Sequence, residues 1–322
     1  MAVALLVRFW LYLIFVIPSV ICSIFTLYYF LVDRTFRKVL SNHVLILILC
    51  LAIFYNITDI MWLIDYYRNG VTFSSLRPFC LAWTYIDFAV FISITFLVAW
   101  ASIERHILIF HQNFISTKTK RLVVHYLPMI IFGGYPFIYY FVIFFILPCS
   151  LSINNKKTRC GLTNCAYENG STGLYDGIVN NILPIFSIII FSLALLVRVW
   201  YNKYRMGQRF QWKKYRKMTF QLLSISATYF VLLFPSMLLL TAYSAGLSNS
   251  IGADFYSGSL YFSYFVTLLV PFVCIFSLPK LRTKLLTITR FYRRATRRVC
   301  PDVITVDRLI GTRKAGLLPA VQ

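Results

Sequence analysis

Residues 9–32 run for 24 positions without a charged side chain, which as a helix is long enough to cross a bilayer core of about 30 Å. Six comparable apolar stretches follow, at about 42–64, 79–108, 122–147, 174–202, 215–243 and 255–279. In lipid every backbone polar group has to be satisfied inside its own segment, so each stretch reads as a helix. The expected fold class is all-α membrane: a seven-transmembrane helix bundle within residues 1–293, then a flexible tail over 294–322. Length alone, 322 residues, would suggest two soluble domains. A content of 59% hydrophobic and 18% aromatic residues overrules that reading, because it lies far outside soluble usage.

A net charge of +22 would suit a nucleic-acid partner, but the placement of the charges argues otherwise. Seven spans put the termini on opposite sides. With the amino terminus outside, only Arg8, Arg68, Arg77, Lys156, Lys157 and Arg159 of all the Lys and Arg residues lie outside. The positive-inside bias therefore predicts a multi-pass membrane protein with its amino terminus outside and its carboxyl terminus cytoplasmic, the plasma membrane being the expected location. The inner cations are expected to set topology and to contact anionic inner-leaflet lipid, at about 1 kcal/mol each near the surface. Asn169-Gly170-Ser171 is a glycosylation sequon in the long outer loop, whereas Asn56-Ile57-Thr58 lies inside a span and should be silent.

Cys80, Cys149, Cys160 and Cys165 fall on the outer side, and four cysteines allow three pairings. A zinc site is disfavoured, since His43, His106, His111 and His125 all lie toward the other side. No clustered metal ligands or catalytic groups stand out, so neither a cofactor nor an enzymatic activity is expected. Cys300, after Arg297-Arg298, is either palmitoylated or a plain thiol.

The third segment ends in Glu104-Arg105-His106, and Arg105 comes 25 residues after Cys80. At about 1.5 Å per residue that is about 37 Å of helix. Charges at a membrane helix are costly and are by default functional suspects. In residue type and spacing the segment resembles the third helix of rhodopsin-like (class A) G-protein-coupled receptors. The resemblance covers roughly residues 9–293. It implies a disulfide from Cys80 to Cys165, which leaves Cys149 and Cys160 for a second bridge. It also implies coupling to a heterotrimeric G protein through Glu104, Arg105 and His106, with helix-kink prolines at Pro184, Pro235 and Pro271. Residues 280–293, with Arg282, Lys284 and Arg290, resemble the family's short amphipathic eighth helix. The branch is divergent. Leu232-Leu233-Phe234-Pro235 lacks the family's sixth-helix tryptophan, and Val270-Pro271-Phe272-Val273-Cys274 keeps only the proline of its seventh-helix motif. Ala52 stands where the sodium-binding aspartate is expected.

Asp87, with Trp83 a turn before it, resembles the third helix of biogenic-amine receptors. Tyr264, seven residues before Pro271, stands where those receptors place a tyrosine partner, and Tyr261 lies a turn away. The resemblance implies a small extracellular ligand, a protonated amine, held by Asp87 and Tyr264 and covered by Trp83 and Tyr261. The bland alternative has Asp87 satisfied by Tyr264 and water. Asp176, Asn180, Ser236 and Met237 do not match a catecholamine pocket, and no span carries a lysine for a retinal Schiff base. The competing function is a seven-span transporter or channel that uses Asp59, Asp87 and Glu104 as intramembrane polar sites.

Overall fold

A computed structural model describes residues 2–147, 153–164, 170–206 and 223–277. It contains seven helices long and apolar enough to cross a membrane: α1 (Leu5–Val32), α2 (Leu40–Asn69), α3 (Arg77–Phe110), α4 (Lys118–Ile146), α5 (Gly170–Tyr201), α6 (Leu223–Ser244) and α7 (Ala253–Ile275). The expected eighth helix and tail, residues 215–222 of the sixth segment, Cys149, Cys165, Asn169 and Cys300 lie outside the described residues.

α3 is the axis of the bundle. It packs on α2, α4 and α5, and every residue from Ala89 to Ser102 is buried. α1 sits at the periphery against α2 and α7. It leaves Leu6, Trp10, Ile14, Ile17, Ile21, Ile24 and Tyr28 exposed, a stripe at three- and four-residue intervals that lipid would cover.

The prolines act on local helix geometry. Proline lacks an N–H and clashes with the preceding turn, so the ladder before it has to widen or bend. Pro184 follows a π-helical stretch at Asp176–Ile182, and Pro235 follows another at Tyr229–Leu233. Pro271 is accommodated inside the helical run Phe265–Ser277. α2 breaks at Thr58 (φ −106°, ψ −82°), immediately before Asp59. α7 breaks at Tyr264, between Ala253–Ser263 and Phe265–Ser277. One glycine is needed for close approach: a Cβ on Gly177 of α5 would lie 2.4 Å from the Thr241 hydroxyl of α6.

Candidate functional site

Cys80 forms its disulfide with Cys160. This corrects the expected pairs Cys80–Cys165 and Cys149–Cys160, since Cys160 cannot serve two partners. The bridge has a structural consequence. Asp87 lies two helical turns below Cys80, and Arg159 is the residue before Cys160, so the bond delivers a guanidinium to the neighbourhood of a buried acid. Asn154 N–H donates to the Cys160 carbonyl at 2.8 Å, Thr72 N–H donates to the Asn155 carbonyl at 3.0 Å, and the Tyr66 hydroxyl donates to the Lys156 carbonyl at 2.8 Å. Arg159 (φ 53°), Cys160 (φ 54°) and Gly161 (φ 71°) are all left-handed. That conformation costs a non-glycine residue about 1–2 kcal/mol, which the covalent tether and the surrounding hydrogen bonds offset.

Asp87 is buried and its carboxylate is fully engaged. Oδ1 accepts from the Tyr55 hydroxyl at 2.7 Å, and Oδ2 accepts from the Tyr264 hydroxyl at 3.3 Å and from Arg159 Nη1 in an ion pair. The Arg159 guanidinium also lies 5.3 Å from the Phe88 ring centre. Burial opposes the charge on Arg159, but Tyr264 and Asp87 outweigh it and hold the guanidinium more basic than usual.

A cavity of about 570 Å³ opens beside this pair, lined by the polar Asp87, Arg159, Tyr256 and Tyr264 and by the apolar Phe91 and Met237 among others. The expected pairing of Asp87 with Tyr264 is therefore present, but the free carboxylate that an amine would need is not. An ammonium ligand would have to displace Arg159. Trp83 and Tyr261 do not line this cavity, which corrects their expected place over Asp87. Trp83 is fully buried, and its indole N–H donates to Asp59 Oδ1 at 2.7 Å. Tyr261 packs against Tyr12 (ring centres 4.9 Å apart), and its carbonyl accepts from the Tyr12 hydroxyl at 2.9 Å. It faces a second recess.

At the other end of α3, Glu104 is buried and pairs through Oε1 with His125 Nδ1 of α4. His125 Nε2 lies 3.2 Å from His43 Nδ1, and His43 Nε2 donates to the Arg37 carbonyl at 2.9 Å. A carbonyl and a carboxylate only accept, so each of these three links needs one proton. Arg105 is buried beside Glu104, and His106 Nε2 accepts from Arg198 Nη1 of α5 at 2.9 Å. The box thus reaches both neighbouring helices.

Four partners were not foreseen from the sequence: Arg159, Tyr55, His125 and His43. Arg159 carried a usable signal, a cation next to a cysteine in a loop facing an intramembrane acid. The histidines carried little, because helix rotation decides whether His125 meets α3 or lipid. No protein-family model matches this chain, and no curated protein matches it at a significant level.

Proposed function

We propose that the protein is a G-protein-coupled receptor of the rhodopsin-like type, which carries an extracellular ligand signal to heterotrimeric G proteins. The observation that supports this best is the division of labour along α3. A cavity of about 570 Å³ stands at the Cys80 end, and a buried Glu104-Arg105 pair, followed by His106, stands at the other. In this reading the Cys80 end faces outward at the plasma membrane, the Arg105 end faces the cytoplasm, and Asn169 carries glycan. A small ligand enters the cavity among α3, α5, α6 and α7. It perturbs the contacts of Asp87, Arg159 and Tyr264, and the rearrangement reaches Arg105 through the packed length of α3. Pro184 and Pro235 place widened turns in α5 and α6 where such a rearrangement can bend them.

A transporter would need a polar route between Asp87 and Glu104. Between them Ser93 donates to the Gly133 carbonyl at 2.7 Å, and Thr95 and Ser102 each donate to their own helix backbone at 3.0 Å. Hydroxyls committed in this way favour a packed strut over a path.

The test is G-protein activation in cells that express the full chain under a ligand screen. Arg105→Ala should abolish activation while surface expression is retained. Normal signalling by Arg105→Ala would reduce Glu104-Arg105-His106 to a boundary marker and give the transporter reading the advantage.

A further inference from the structure

We infer that the recess among α1, α2, α7 and the 153–161 segment is a binding site for a small anionic group: a carboxylate, sulfate or phosphate. The recess has a volume of about 330 Å³, and its walls carry Arg8, Lys156, Lys157 and Arg159 with no acidic residue among them. No carboxylate of the described residues pairs with Arg8, Lys156 or Lys157. Arg159 shares its charge with Asp87, but Arg8, Lys156 and Lys157 line the recess with no carboxylate to offset them, and low-dielectric walls focus their field on whatever enters. An anion supplies the missing counter-charge.

The two arginine side chains and the backbone that carries the lysines are held in place. The Arg8 guanidinium lies 5.1 Å from the Tyr261 ring centre and 5.8 Å from that of Tyr67. The backbone of Lys156 is pinned by Tyr66, and Arg159 is fixed by the Cys80–Cys160 bond. Arg159 also has a spare donor. It uses Nη1 on Asp87, while its buried Nε has no hydrogen-bond partner. A guanidinium carries five N–H donors in a fixed fork, so one that spends Nη1 on Asp87 keeps others for a second oxyanion.

Arg159, Leu260 and Tyr264 line both this recess and the larger cavity. An anion here therefore competes with Asp87 for the same guanidinium. This reverses the charge expected of a ligand at this end of the bundle. It deepens the receptor reading but does not depend on it, because binding can be measured without signalling.

The experiment uses the full-length protein in phosphatidylcholine nanodiscs and follows its thermal midpoint with 4-phenylbutyrate and 4-phenylbutylamine, which share a body and differ in charge. The carboxylate should raise the midpoint and the amine should not, and inorganic sulfate should compete. Lys156→Gln with Lys157→Gln should weaken the carboxylate about tenfold, the order expected for two charges removed beside an anion. Arg8→Gln should weaken it as well. Lys118→Gln with Lys120→Gln, at the opposite end of the bundle, should leave it unchanged. Nanodiscs containing phosphatidylglycerol separate the sources of the anion. If the anion is a lipid headgroup, the lipid alone stabilises and the Lys156/Lys157 variant abolishes the effect. If it is a free ligand, only the carboxylate does so. Stabilisation by the amine equal to that by the carboxylate, stabilisation that survives all three substitutions, or none by any anion would overturn the proposal. A silent Arg105 signalling test would leave this result standing, and the reverse also holds.

Discussion

Asp87 and Glu104 sit on one helix, about 25 Å apart along its axis, and each is buried against a basic side chain from another element. The two sites are built differently. Asp87 meets a guanidinium brought in by a loop, tethered by Cys160 and held in a left-handed backbone, at the edge of a cavity. Glu104 meets an imidazole carried by a helix, backed by His43 and the Arg37 carbonyl. Guanidinium keeps its charge at all physiological pH, whereas imidazole carries charge only while protonated. The first pair thus holds a fixed cation within reach of a competitor. The second is a hydrogen-bonded joint between α3 and α4. Location on the same central helix does not make two acids equivalent; the element that supplies the partner decides what can disturb each one.

Breaking the Asp87–Arg159 pair should have the largest effect. Arg159→Met leaves a buried carboxylate unpaired and should destabilise the folded protein by about 3–5 kcal/mol. Asp87→Asn with Arg159→Met should recover most of that loss in a double-mutant cycle read by thermal or chemical unfolding in nanodiscs. If the single and double variants lose equally, the pair is not the feature that stabilises this end.

Removal of the tether should come next. Cys160→Ser opens a bridge that spans a sequence separation of 80 residues and should cost about 2–4 kcal/mol. The loss should be much smaller in a chain already carrying Arg159→Met, because part of what the bridge does is to place Arg159. Full additivity of the two losses would separate the bridge from the ion pair.

The histidine joint should be weaker. His125→Phe removes the partner of Glu104 Oε1, and Oε2 already lacks a hydrogen-bond partner. The loss should be about 1–3 kcal/mol, the desolvation cost of one orphaned group. Glu104→Gln should recover part of it, and anion binding at the other end should not change. A change in that binding caused by His125→Phe would show that the two pairs communicate through α3 in the resting protein.

Tyr264→Phe should have the smallest effect. It deletes a hydrogen bond of 3.3 Å to an oxygen that Arg159 also serves, so about 0.5–1.5 kcal/mol is expected. A larger loss on unfolding would mark Tyr264, at the break in α7, as part of the joint that sets the seventh helix.

The seven spans were legible in the amino-acid sequence because a bilayer makes helix formation a local requirement. The uncharged run at 9–32 became Leu5–Val32, and the third segment at 79–108 became Arg77–Phe110. The meeting of Asp87 with Tyr264 was expected only from the resemblance to biogenic-amine receptors at these two positions, and the Tyr264 hydroxyl does donate to the Asp87 carboxylate. The breaks at Thr58 and Tyr264 were not visible, because neither residue is a helix breaker by type. The partner of Cys80, the approach of Arg159 to Asp87, the removal of Trp83 to Asp59 and the joining of Glu104 to His125 were decided only by the tertiary structure. Two of these depend on the path of a loop and two on the rotation of one helix against another. Hydrophobic patterning tells a helix that it must cross the membrane and leaves both of those degrees of freedom open, to be settled by which buried charges and hydrogen-bonding groups find one another.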